Sequence, residues 1–213
     1  MKLKSLNIGL PKNVEWRGGT VLTGIFKEPV DGPVLATKNG LQGDGVADPT
    51  VHGGEHKAVY AFPHQHYSYF AELLNRSDFG PGQFGENLTT EGLLEADVQI
   101  GDAILEVTQP REPCFKLGIR MNDPGIVKLF LKSLRTGFYL RVVREGSLSA
   151  GQEIVRVHHA TNSVSVSEIT RVKYFDKSDR DVLDVAVSLE KLTPSWRIEF
   201  QVQLKKSRAG RDE

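Results

Sequence analysis

The chain has 213 residues, and its 27 basic side chains balance its 27 acidic ones, so it offers no global field for a nucleic-acid polymer. An apolar content of 39% with 25% charged residues is ordinary for a water-soluble globular chain. One cysteine excludes an intramolecular disulfide and a cysteine-ligated iron–sulfur cluster, and the lack of an apolar run of bilayer length or of a secretory h-region leads to the expectation of a cytoplasmic protein with no membrane partner.

From Met1 to about Val157 the pattern is of short strands between Gly/Pro turns. Lys2–Ile8 alternates loosely, and Gly19–Phe26 is rich in β-branched residues between turn signals. Asp31-Gly32 is a hairpin-type dipeptide between apolar flanks in Pro29–Leu35. Val59–Phe62 reads as a brief strand stopped by Pro63, and His64–Leu74 has apolar residues at helical spacing. Val98–Ile100 and Ala103–Val107 straddle Gly101-Asp102. Ile126–Leu134 is a second helical candidate, and Gly137–Val143 and Glu153–Val157 read as closing strands. Many short strands with few helices predict a mainly β unit, a closed or nearly closed β-barrel.

Composition changes after His159. Glycine almost vanishes from Thr161 to Leu204, and a helical period appears. Ser165 or Ser167 is placed to cap a first helix, Ser178-Asp179 a second, and Thr193-Pro194 opens a third with Trp196, Phe200 and Leu204 along one face. The predicted division is a β-barrel domain over 1–160, a small three-helix domain over 161–204, and a flexible tail over 205–213.

Chemistry concentrates first in Gln109–Leu117, QPREPCFKL, which holds Cys114. Pro110 and Pro113 fix φ and remove two donors, so the segment is expected to be a stiff loop rather than an interior strand or helix. Arg111 and Lys116 flank the thiol, and neighbouring cations favour the thiolate, the form that attacks or binds metal. The alternative is a free cysteine acting as a small buried hydrophobe. Gly40–Lys57, GLQGDGVADPTVHGGEHK, carries glycines that admit close approach of a ligand to backbone N–H groups, with His52, Gly53, Gly54 and Lys57 at its end; a long surface loop without a ligand is the competing reading. His52 and His56 have i, i+4 spacing, but the Gly53-Gly54 pair argues against one helix holding both for zinc. Asn87 closes a second Gly-rich turn. Arg141 lies on a strand whose alternation separates Phe138, Leu140 and Val142 from Tyr139, Arg141 and Val143, and it points either to solvent or into a pocket.

Together these runs resemble the MOSC family, named for the C-terminal domain of molybdenum cofactor sulfurases, in its stand-alone bacterial branch with a three-helix extension. The matching stretches are TGIFKEPV, GLQGDGVAD with HGGEHKAVYAF, PGQFGENLTTEGLLEADVQIGD, QPREPCFKLG and GFYLRVVREGSLSAGQEI. The resemblance implies a MOSC-type β-barrel that binds the molybdenum cofactor, molybdopterin, with Cys114 as the catalytic thiolate and molybdenum ligand. His52, Gly53, Gly54, Lys57, Asn87, Arg111, Lys116 and Arg141 are the implied cofactor-binding residues. It further implies reduction of small N-hydroxylated compounds, hydroxylamino purines among them, a detoxification reaction. Electrons would come from a separate reductase, flavin-containing, for which the three-helix extension is a candidate docking surface. Two rival readings are sulfur transfer through a Cys114 persulfide, and a non-catalytic cofactor carrier.

Overall fold

The computed structural model describes residues 1–93, 97–158 and 164–209. In chain order the elements are β1 (Lys2–Ile8), β2 (Lys12–Trp16), β3 (Gly19–Thr23), β4 (Glu28–Pro29), β5 (Val34–Thr37) and β6 (Gly40–Leu41). After them come α1 (Pro49–His52), a 3₁₀ turn at Glu55–Lys57, β7 (Val59–Pro63), α2 (Gln65–Leu74), β8 (Leu88–Glu91), β9 (Asp97–Ile100) and β10 (Ala103–Pro110). The chain continues through α3 (Phe115–Met121), α4 (Ile126–Lys132), β11 (Phe138–Arg144), β12 (Gly146–Leu148) and β13 (Ile154–His158), and then α5 (Val166–Tyr174), α6 (Arg180–Ser188) and α7 (Pro194–Ala209). None of these helices is long and apolar enough to cross a membrane.

Eight strands form one sheet in the order β13-β9-β10-β11-β7-β8-β1-β4, with a three-stranded sheet β12-β5-β6 and the hairpin β2-β3 beside it. Pairing in the large sheet is antiparallel except between β7 and β8. β7 is buried along its whole length because it separates two cores. Val59 and Ala61 face an aliphatic cluster with Leu3, Leu88, Leu105 and Leu140, whereas Tyr60 and Phe62 face an aromatic one. In the aromatic cluster Phe62 stacks on Phe84 at 4.3 Å, and Phe70 on Phe130 at 5.3 Å.

The mainly β expectation with added helices holds, but among the described residues the strand ladders do not make a closed barrel. The sheet curls until the entry to β13 meets β1: Ile154 N–H donates to Met1 O at 2.9 Å and Leu3 N–H to Gln152 O at 3.0 Å. That meeting is one isolated bridge, Lys2 with Glu153, because β1 is already paired along its length by β8 and, at its far end, by β4. Asp31-Gly32 also departs from expectation. Gly32 turns with positive φ, yet β4 pairs with β1 and β5 with β12, so no hairpin forms there. Pro29 and Pro33 lack the donors that a hairpin ladder across this turn would use. The two-residue hairpin of this region is instead at Arg17-Gly18, both with positive φ, joining β2 to β3.

In the C-terminal segment Ser165 is the cap of α5, in a reciprocal box with Glu168, and Asp179 caps α6. Val172, Leu183, Ala186 and Phe200 form the centre of its core. α7 continues past Leu204 to Ala209, because nothing between Lys205 and Ala209 breaks a helix. The boundary expected near residue 160 and the final residues of the tail lie outside the described residues.

Candidate active site

The sheet positions the cysteine. Gln109 and Pro110 close β10, opposite Tyr139 and Phe138 of β11, and Phe115 opens α3. Only 111–114 is therefore irregular, and the expectation of a nine-residue loop needs correcting at both ends. Pro110 is tolerated at the strand's last position. Cys114 is extended at φ −120° immediately before the helix, and its carbonyl accepts from Leu117 N–H at 2.9 Å.

Half-buried Cys114 opens onto a cleft between the sheet and the loops before β7. His52, Lys57, Asn87 and Lys116 line the same cleft, so four of the predicted binding residues converge on the thiol. His52 Nε2 stands 3.8 Å from Cys114 Sγ. Burial holds the His52 imidazole below its usual range, and the charges of Lys116, Lys57 and Arg111 push it further down. Neutral imidazole can accept the thiol's proton. The downward push from three cations also shows that this end of the cleft is electropositive.

Arg111 is buried behind the cleft rather than on its wall. Its guanidinium lies over the Tyr60 ring at 4.6 Å and the Phe130 ring at 5.8 Å, and Nη1 donates to Phe84 O. Among the described residues Arg111 has no carboxylate at ion-pair distance. The Arg111 charge is felt in the cleft, where it helps hold the His52 imidazole below its usual range. Tyr60 and Tyr139 both border the cleft, and burial raises their hydroxyls above the usual phenol range, so both stay neutral; the Tyr60 O–H donates to Thr136 O at 2.8 Å. Arg141 sits elsewhere, ion-paired with Glu106 on β10. Gly53 and Gly54 line an adjoining hollow with Lys57 and Gly45.

Sequence reading missed the opposite wall. Lys27 and Asp44 form an ion pair with side chains only 7% and 11% exposed. Lys27 Nζ also donates to Gly45 O at 3.1 Å, while Asp44 accepts from Gly9 N–H at 2.8 Å and from Asn87 Nδ2 at 2.9 Å. Burial lowers the Lys27 ammonium's pKa, and Asp44 opposes that shift. Asn87 also takes Tyr60 N–H on its Oδ1 at 3.1 Å, so its amide ties this wall to β7. Gly24 makes the wall possible: a Cβ there would stand 2.5 Å from Gly45 O. The signal for this wall was present only as scattered ordinary residues, a lysine after Ile25-Phe26 and an aspartate between glycines.

The MOSC domain profile matches residues 48–155, which includes α1, the cysteine loop and β11. The chain belongs to the MOSC domain family. A second profile, the YiiM-like 3-alpha helix domain, matches residues 164–206. This MOSC protein is 37% identical over 202 residues to the uncharacterized protein YflK of Bacillus subtilis, covering 92% of this chain and 91% of YflK. It is 34% identical over 164 residues to a Gibberella moniliformis protein named "Reductase", covering 73% of this chain and 29% of that protein. The crystal structure of YiiM from Geobacillus stearothermophilus superposes with a TM-score of 0.78 at 32% identity, covering 95% of this chain and 98% of that one.

Proposed function

We propose that this MOSC protein is a cytoplasmic molybdenum-cofactor oxidoreductase that reduces small N-hydroxylated compounds, hydroxylamino purines among them, to amines. The observation that carries the reading is a half-buried thiol on an electropositive cleft, beside a neutral imidazole. The donor set fits the group. A soft thiolate suits molybdenum, and among the described residues no cluster of three His, Cys, Asp or Glu side chains forms a metal cage. A metal held here thus depends on a ligand that brings its own donors. Lys57 and Lys116 on the cleft wall, with buried Arg111 behind it, suit an anionic pterin phosphate.

When bound, the cofactor supplies the two-electron couple for N–O cleavage. Cys114 would hold the metal, and His52 would take the thiol proton on loading. The overall change consumes two electrons and two protons per N–OH, releasing amine and water. Tyr139 supplies a neutral O–H donor that orients a polar substrate, and the Lys27–Asp44 wall excludes water from the far side. The chain's one cysteine cannot hold an iron–sulfur cluster, so electrons come from a separate reductase, flavin-containing. That the matched stretch is 29% of a larger protein named a reductase supports redox work over sulfur transfer.

The test is molybdenum and pterin analysis of protein made in a cofactor-producing host and purified anaerobically, beside Cys114→Ser. Near-stoichiometric molybdenum that disappears in the variant is expected. Metal absent from both proteins, with a persulfide on Cys114, would overturn the reading in favour of sulfur transfer. Cofactor bound without turnover of N-hydroxy substrates under chemical reduction would leave a carrier.

A further inference from the structure

Several polar links from the three helices fall on β10 and the loop after it, with Asp97 of neighbouring β9 beside them. Lys191, between α6 and α7, pairs with Asp97 and, at 3.1 Å, with Glu106. Thr193 N–H donates to Thr108 O at 3.3 Å, and its hydroxyl donates to Gln109 Oε1 at 2.5 Å. Tyr174, at the end of α5, donates its hydroxyl to Glu112 Oε1 at 3.2 Å, and Lys173 Nζ lies 3.8 Å from the same oxygen. The contacts thus run up β10 and into the loop that ends at Cys114.

Glu112 faces both ways. Its Oε1 is taken by the helical segment, and its Oε2 lies 3.9 Å from Lys57 Nζ on the cleft wall. Lys173 is fixed on the helical side, buried, bonded to Glu199 at 2.5 Å and 4.3 Å above the Trp196 ring. Lys57 is held on the other side by Val51 O at 2.9 Å. A single residue, the stiff Pro113, separates Glu112 from Cys114.

We propose that Glu112 is a positioning residue: through it the three-helix segment sets the placement of the Cys114 loop and of the Lys57 ammonium. The segment is then part of the site's scaffold, whatever else docks on it. Glu112 is partly exposed, so its ion pairs add little to global stability. The effect is local order at the loop. This geometry stands apart from the molybdenum reading, on which only its consequence for catalysis rests.

The test uses the full chain without cofactor. Glu112→Ala and Tyr174→Phe are each expected to speed amide hydrogen exchange over 111–117 by about fivefold, the size expected from one lost hydrogen bond. Exchange over 180–204 should stay unchanged. Asp184→Asn, which breaks an exposed pair with Arg208 inside the helical segment, serves as the control and should leave 111–117 unaltered. A double-mutant cycle of Tyr174→Phe with Lys57→Met is then read by the alkylation rate of Cys114, the only thiol, at fixed pH. Non-additivity that vanishes in a Glu112→Gln background supports the relay. Additive effects, or exchange that rises equally in the loop and throughout the helices, would overturn it. Because neither readout needs metal, the clamp and the molybdenum reading can fail separately.

Discussion

The cleft and the three-helix segment bury their side chains on different terms. Around the cleft, Lys27, Asn87, Arg111 and the fully buried Glu86 lie inside the sheet unit. Each is held by specific partners: Glu86, for instance, accepts from Gly82 N–H at 2.9 Å, Phe84 N–H at 3.0 Å and Thr89 Oγ1 at 2.9 Å. The helical segment is organised around an apolar stripe of Val172, Leu183, Ala186 and Phe200. An apolar stripe tolerates small adjustments. A buried charge with one partner does not, because losing that partner leaves it desolvated and unpaired. The sheet unit therefore keeps its most fragile contacts where the ligand would bind.

The largest expected effect tests that fragility. Asp44→Ala strands the Lys27 ammonium and frees one Asn87 proton, and is expected to destabilise by about 3–5 kcal/mol, the range for breaking a buried pair. Urea denaturation measures it. A loss under about 1 kcal/mol would mean that Lys27 escapes to water and that the wall is not a closed network. In the helical segment, Leu183→Ala removes a fully buried side chain and should cost roughly 3 kcal/mol through lost transfer energy and a residual cavity. If the apolar stripe repacks as the comparison implies, a Leu183→Met variant loses far less, whereas Asp44→Glu is not rescued.

The two walls of the cleft were not equally legible in the sequence. Cys114, His52, Lys57 and Lys116 stood out because a lone thiol between a proline and an aromatic residue, and a histidine and lysine flanking paired glycines, are unusual local contexts. The Lys27–Asp44 wall was invisible because each residue alone looks like ordinary solvated surface. Its burial arises only when Gly24 lets two loops meet and Asn87 arrives from β8's approach. Alternation correctly put Arg141 on the face opposite Phe138 and Leu140, but which partner waited there depended on register with β10, where Glu106 stands opposite. Barrel closure was likewise beyond the pattern, since short strands define a curl and not which edges pair. The helical caps at Ser165 and Asp179 were readable because capping is local.

pH separates the regions more gently. His66 on α2 is packed with its edge toward Phe62 at 5.6 Å, and its Nδ1 lies 3.4 Å from Arg135. Burial and then the Arg135 charge push its imidazole from 6.5 down to about 4. The fold thus favours the neutral ring: its contribution is complete above pH 6.5 and is lost as pH falls toward 4. After allowance for partial exposure this is on the order of 1–2 kcal/mol. His66→Gln should flatten the fall in melting temperature across that window, and an unchanged slope would assign the fall to other groups.

The smallest effect probes the junction itself. Ser165 Oγ accepts from Glu168 N–H at 3.1 Å, and Glu168 Oε2 accepts from Ser165 N–H at 2.8 Å, so each side chain satisfies a donor at the first turn of α5. Ser165→Ala removes one of these bonds and should cost about 1 kcal/mol. The site consequence is more telling than the stability loss. α5 ends in Lys173 and Tyr174, the residues that hold Glu112, but the cap lies at the helix's other end, two turns away. If the apolar stripe alone fixes α5 against its neighbours, fraying at Ser165 stays at the first turn, and hydrogen exchange at 111–117 does not change. Faster exchange there in Ser165→Ala would mean that α5 moves as a unit, and that the helical segment transmits disturbance to the cysteine loop as readily as the sheet does.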